Sequence, residues 1–274
     1  MGESDNSALS ELVRGSVLDA AGPVSAGDGQ ILINSVLVML VIVVPTIAVT
    51  VLFAWWFRAS NQKARYRPDW SHSGHIELIV WGIPLLVVFF LSGIIWIGSH
   101  ELDPGRAINK NESHIPIDVV SLDWKWVFIY RENLVASLNE LVLPVNTEIH
   151  LRLTSGTVMN MFFIPQLGSM ISAMNGMESH LHLKATRPGL YPGLATQFSG
   201  EGFSDMKFLV KVVSDQEYRA WLSETVKSEE VLNEKNYLEL ALRRSVEKPR
   251  TFGSVDPTLF RMISSRGIIT DNAK

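Results

Sequence analysis

Two long apolar blocks open the chain, and shorter alternating runs follow them. From Ile31 to Trp56 only Asn34, Ser35, Thr46 and Thr50 interrupt the apolar residues. As a helix rising about 1.5 Å per residue, this block covers roughly 39 Å, enough to cross a bilayer with some tilt. Ile76 to Gly98 forms a second block, broken only by Glu77 near its start and by Ser92. The pattern predicts two permanent membrane helices, about 31–57 and 76–98, in a hairpin over 31–100 joined by a loop at 58–75. The first block exceeds the about 7–15 apolar residues of a cleaved signal segment. Pro45 and Pro84 lie inside the blocks. Prolines are tolerated in membrane helices where neighbouring segments satisfy the freed carbonyls, so these helices are expected to pack against other protein.

From Ile115 the texture changes. Residues 115–122, 148–153, 180–185 and 206–213 alternate or are β-branched, and Pro144, Asn146, Gly156, Pro165, Gly168, Pro188, Gly189, Pro192 and Gly193 punctuate the gaps. Many short strands with turn signals imply a sandwich or barrel. Trp124, Trp126, Phe128 and Tyr130 recur at every second residue, which predicts one aromatic face of a strand. That face reads as core, with a docking surface as the sharper reading. Beyond Val213 the period becomes helical. Ser214 and Glu217 form a capping box, after which Tyr218, Trp221, Leu222 and Val226 fall on one stripe. The charged stretch 229–244 reads as a solvated helix, and Asp256–Pro257 as a cap with proline at the first helical position.

Charge and composition narrow the possibilities. With 274 residues the chain has room for a membrane anchor and one ordinary domain. A net charge of -4 without a long basic run argues against nucleic acid as a partner. The chain has no cysteine, which removes disulfides, thiolate metal sites, iron-sulfur clusters and cysteine nucleophiles together. Arg58, Lys63, Arg65 and Arg67 fill the loop at 58–75, whereas the preceding tail, 1–30, sets Glu3, Asp5, Glu11, Asp19 and Asp28 against Arg14. The positive-inside rule then places the loop in the cytoplasm and both termini outside.

Three segments, in this order, resemble subunit II of haem-copper terminal oxidases, especially the bo-type ubiquinol oxidases of bacterial inner membranes. They are Trp70-Ser-His-Ser-Gly-His-Ile-Glu77-Leu-Ile-Val-Trp81-Gly-Ile-Pro84, then Ser121-Leu-Asp-Trp124-Lys-Trp126, then the stretch 158–206. The resemblance implies an α+β membrane protein: a two-helix transmembrane hairpin, a periplasmic cupredoxin-like Greek-key β-sandwich over 101–213 and a C-terminal helical extension over 214–274. In the copper-bearing members, a dinuclear centre (CuA) uses two histidines, two bridging cysteines, a methionine and a backbone carbonyl. The first histidine stands five residues before a Pro-x-Leu-Gly segment; here that segment is Pro165-Gln166-Leu167-Gly168 and the position is Asn160. The Cys-x-Glu-x-Cys-x-x-x-His-x-x-Met cluster becomes Ala195, Gln197, Ser199, Phe203 and Met206. Only the methionine side chain survives, so the resemblance implies a domain lacking CuA.

The same resemblance makes the chain a subunit of a proton-pumping complex that oxidises ubiquinol and reduces oxygen to water, with no cofactor of its own. Haem and CuB are expected in subunit I. Subunit I, small membrane subunits and lipid are the expected partners, and ubiquinol is met through the complex. Glu77, four residues before Trp81, matches the family's glutamate at the entrance of a proton pathway. Read bare, a carboxylate at a helix edge faces headgroups or pairs with Arg67. His72 and His75 are assigned to the membrane interface. His180 and His182 could share one side of a strand, but no third ligand has a recognisable spacing with them, so a structural or surface role is expected. Glu201 and Asp205 flank the altered copper loop without forming a hydrolytic site. Two alternatives stay open: a CuA-type cytochrome c oxidase subunit, which the replacements oppose, and a membrane-anchored periplasmic binding module.

Overall fold

The computed structural model describes residues 18–65, 69–109, 113–242 and 247–266. Arg67, and Glu3, Asp5, Glu11 and Arg14 of the tail, lie outside the described residues. The chain divides into two compact units, 29–101 and the remainder.

The smaller unit holds most of α1 (Pro23–Trp56) and all of α2 (Gly74–Glu101). Both are long and apolar enough to cross a membrane. Val41, Leu78 and Trp81 are each more than 70% exposed, a face that water would not tolerate and lipid would cover. The few polar side chains are satisfied within the helices: Thr46 donates to the Ile42 carbonyl, Thr50 to Thr46 and Ser92 to Val88, each at 2.7 Å. Helix α1 begins eight positions before the sequence block, at a proline whose missing N–H costs a first turn nothing.

The larger unit is a β-sandwich. One sheet has the order β12-β3-β2-β1-β5-β8 and the other β4-β10-β9-β6-β7. The strands of the first are β1 (His114–Leu122), β2 (Lys125–Tyr130), β3 (Val135–Leu138), β5 (Glu148–Ser155), β8 (Ser179–Lys184) and β12 (Arg250–Phe252). Those of the second are β4 (Glu140–Pro144), β6 (Asn160–Phe163), β7 (Ile171–Ala173), β9 (Gly189–Ala195) and β10 (Lys207–Val213). Pairings β1–β5 and β4–β10 are parallel, as crossovers between sheets require, and the other pairings in these two sheets are antiparallel. Alternation sends Ile117, Val119, Trp126, Phe128, Leu151 and Leu181 inward against Phe162, Phe208 and Val210. Tyr130 ties the two sheets: its hydroxyl donates to the Val142 carbonyl at 3.1 Å and accepts the Val142 N–H at 2.8 Å.

Two expectations change. Trp124 is not on the aromatic strand: with φ 62° it turns the chain between β1 and β2, so only Trp126, Phe128 and Tyr130 share the core face. The stretch 229–244 is not a solvated helix. Within it α4 (Glu234–Leu242), which follows α3 (Asp215–Thr225), buries Tyr237, Leu240 and Ala241. With β12, the short pair β11 (Val231–Leu232) and β13 (Ser254–Val255), and α5 (Leu259–Arg266), it forms a second core on the outer face of the first sheet. The extension is therefore helical only in part, because β12 pairs with β3. The Ser214–Glu217 box caps α3 reciprocally, although Val226, expected on the apolar stripe, is 55% exposed. Asp256 accepts from the Thr258 N–H at 2.8 Å just before α5.

Because β2 is covered on both faces, Lys125 is fully buried. Its ammonium donates to the Leu240 carbonyl at 3.1 Å and lies 3.4 Å from Glu247. Lys125→Met leaves the Leu240 carbonyl without its charged donor and Glu247 with Arg250 alone, and should lower the unfolding free energy by about 1–3 kcal/mol. Chemical denaturation of the detergent-solubilised protein measures it.

Candidate functional site

Two places collect the residues to which the sequence assigned chemistry. The first is one end of the sandwich, where β6, β9 and the loop before β10 meet. Phe162 pairs with Ala195 across β6 and β9, and the Ala195 N–H donates to the Met206 carbonyl at 3.1 Å. Ser199 Oγ lies 3.9 Å from Met206 Sδ. The fold thus brings positions 195, 199 and 206 together, although they are spread along the sequence.

The donors there are poor. Asn160 is fully buried; its amide N–H donates to Ser121 Oγ at 2.7 Å, and its Oδ1 has no hydrogen-bond partner in the structure. Ala195 presents a buried methyl group, and Phe203 packs edge-on against Phe198 with centroids 5.7 Å apart. Gln197 is exposed, and Met206 contributes a buried thioether. No three His, Cys, Asp or Glu side chains among the described residues are placed to hold a metal ion. Glu201 and Asp205 are exposed on the loop rim.

Trp124 closes this end. Its indole N–H donates to the Ser199 carbonyl at 3.2 Å, and its ring lies against Gly200 and Gly202. A left-handed backbone on a bulky L-residue costs on the order of 1 kcal/mol, so packing must hold it. The sequence offered the alternating aromatics as a signal but not this turn.

The second place is the start of α2. Glu77 sits in the first turn, where its carboxylate meets the positive end of the helix. His72 Nδ1 lies 2.5 Å from its carboxylate, and both side chains are more than half exposed. The pair borders a pocket of about 150 Å³ lined by Trp70, Ser71, Ser73 and Ile76. His72 is thus in contact with Glu77, a pairing the sequence did not signal, since a five-residue separation across a helix start carries no clear pattern. His75 is exposed, and Trp81 follows Glu77 by one helical turn.

On the outer face of the first sheet, His180 and His182 are joined by two residues the sequence did not connect with them. His150 lies opposite His182 in the β5–β8 register, with rings stacked at 4.4 Å, and His114 is edge-on to His150 at 5.2 Å. Burial, then the neighbouring imidazoles of His182, His180 and His114, push the His150 pKa down to about 4. His182 Nδ1 meets the buried Glu148 carboxylate at 2.7 Å. Burial works to raise the Glu148 carboxyl, but the N–H groups of Asn109 and Ile108 together with His182 outweigh it and hold it below its ordinary value. Sequence spacing could not reveal this cluster, because strand pairing alone unites β1, β5 and β8.

The family model of the cytochrome c oxidase subunit II periplasmic domain matches residues 110–213. The ubiquinol oxidase subunit 2 of Acetobacter aceti is 44% identical over 262 residues, which are 94% of this chain and 85% of that one. The cytochrome bo(3) ubiquinol oxidase subunit 2 of Pseudomonas aeruginosa is 40% identical over 245 residues, covering 89% of this chain and 74% of its own. The quinol oxidase subunit 2 of Bacillus cereus is 32% identical over 248 residues, covering 88% and 84% respectively.

A Cβ on Gly202 would lie 2.2 Å from the Trp124 ring. With φ -88° at that position, alanine meets no backbone penalty, so the clash alone acts. Gly202→Ala should displace the indole, shift tryptophan fluorescence and cost about 1–3 kcal/mol, read from thermal unfolding and emission spectra.

Proposed function

The chain belongs to the ubiquinol oxidase subunit 2 family, and we propose that it serves its oxidoreductase complex as a copper-free scaffold and proton-collecting subunit. The observation that carries this reading is the donor set at the end of the sandwich. A dinuclear copper centre needs thiolates that share two ions, and positions 195 and 199 offer a methyl and a hydroxyl. With Asn160 tied to Ser121 and Phe203 in place of an imidazole, one thioether is left, and these residues do not fit the centre.

The chemistry accounts for the loss. A soluble electron donor outside the membrane requires a relay in the outer domain, whereas a quinol dissolves in the bilayer and delivers electrons from within it. The haem-copper chemistry then belongs to the partner subunit, and this chain binds none of those groups. Arg58, Lys63 and Arg65 in the loop support a cytoplasmic hairpin turn, with the sandwich and both termini on the periplasmic side.

In that orientation Glu77 stands at the cytoplasmic surface. Its carboxylate takes a proton from water, and His72, in contact with it, is a second group able to hold and pass that proton. Glu77→Gln in the assembled complex should slow proton-coupled haem reduction about tenfold or more, with Glu77→Asp recovering part of the rate. Stopped-flow optical spectroscopy measures it, and an unchanged rate removes the proton-collecting role.

The copper-free reading has a gain-of-function test. Asn160→His, Ala195→Cys, Ser199→Cys and Phe203→His together should install a coloured mixed-valence copper pair, using Met206 and the Gln197 carbonyl already present. Optical and paramagnetic resonance spectra of the complex report it. A folded, colourless variant would count against the assignment of these positions.

A further inference from the structure

The histidine cluster on the outer face of the first sheet has no part in the proton or quinol chemistry above. Its four rings come from three strands, and they differ in what they can still do. His182 is almost completely buried, and its Nδ1 is engaged by Glu148, which also accepts the N–H groups of Ile108 and Asn109 at 3.0 Å each. The His182 N–H donates to the Pro104 carbonyl at 2.9 Å. His182 and Glu148 therefore pin the segment 102–109 to the sheet edge, a structural task.

His150 and His180 are different. They sit diagonally across the β5–β8 pair, with His180 exposed and His150 half-buried, and His150 Nε2 lies 3.0 Å from His180 Nδ1. Two imidazole nitrogens bound at about 2.0 Å to one ion lie about 2.8 Å apart in a square-planar site and about 3.3 Å apart in a tetrahedral one. The observed separation falls between these values, and both strands are fixed in register by their neighbours. The torsion that orients an imidazole is broad, so both rings can turn their lone pairs to a common point. The tautomer with the proton on the far nitrogen frees each for coordination.

We propose that His150 and His180 form a surface chelate for a borderline divalent transition ion, with Cu²⁺ bound most tightly and Zn²⁺ more weakly. Two protein ligands make the site, and water takes the remaining positions, in keeping with the lack of any converging group of three among the described residues. The arrangement suits imidazole-loving ions and not Mg²⁺ or Ca²⁺, which require oxygen ligands. This inference is independent of the missing copper centre, because β5 and β8 belong to the first sheet and positions 160 and 195 to the second.

The test uses the purified complex, titrated with Cu²⁺ alone and followed by paramagnetic resonance, with metal content measured in parallel. One additional mononuclear signal carrying nitrogen hyperfine structure is expected. His150→Gln and His180→Gln should each weaken it by about tenfold or more, since losing a nitrogen bound to the ion costs at least as much as losing an outer partner. His114→Gln, which removes an imidazole outside the chelate, should change affinity less than about threefold on the same scale. Quinol oxidation by all three variants should match the parent, which verifies assembly. Absence of the signal, or its survival at full affinity in either His150→Gln or His180→Gln, overturns the proposal.

Discussion

The domain depends on the burial of Lys125–Tyr130 along both faces. One face carries Trp126, Phe128 and Tyr130 into the sandwich, and the other presses Val127 and Ile129 under the C-terminal elements. A strand sealed in this way must satisfy its backbone polar groups internally, since a buried unpaired group costs about 1–3 kcal/mol, a cost the partnerless indole N–H of Trp126 already carries. Asn139 does part of this at the point where the chain leaves one sheet for the other. Its side-chain oxygen accepts the Trp126 N–H at 2.8 Å, its amide donates to the Glu247 carbonyl at 2.8 Å, and its φ of 55° makes the turn. Lys125 reaches the end of α4 from the same strand, so the extension is bound to the sandwich by polar ties as well as by apolar area.

Packing holds the end of the sandwich where positions 195, 199 and 206 meet. Trp124 still folds over the loop, Met206 remains buried, and the second sheet still places Ala195 beside the Met206 backbone. Asn160 Oδ1 is a buried polar atom left without a hydrogen-bond partner beside this site. On the outer face of the first sheet, the imidazoles of three strands lie together.

Much was legible in the chain. The hairpin followed from apolar length, since the bilayer fixes how many residues a helix needs. The capping box at Ser214 and Glu217 was legible because its hydrogen bonds are local. The missing thiolates were legible because the absence of cysteine is a chemical fact requiring no fold.

What only the tertiary structure decided lies in contacts between distant residues. Trp124 looked like a strand residue because period two does not distinguish a strand from the turn that begins it. The segment 229–244 looked solvated because its apolar residues are not clearly periodic among many charges, yet Tyr237, Leu240 and Ala241 cover the back of a sheet more than a hundred residues away in the chain. His72 met Glu77 across a helix start, and His114 and His150 met His180 and His182 through strand pairing. The sequence by itself determined the long apolar helices, the capping box and the absence of thiolate ligands, since these depend on residue type and local spacing. Which side chains stand within reach of each other was decided by strand order and by the second core, because proximity there is set by packing and not by distance along the chain.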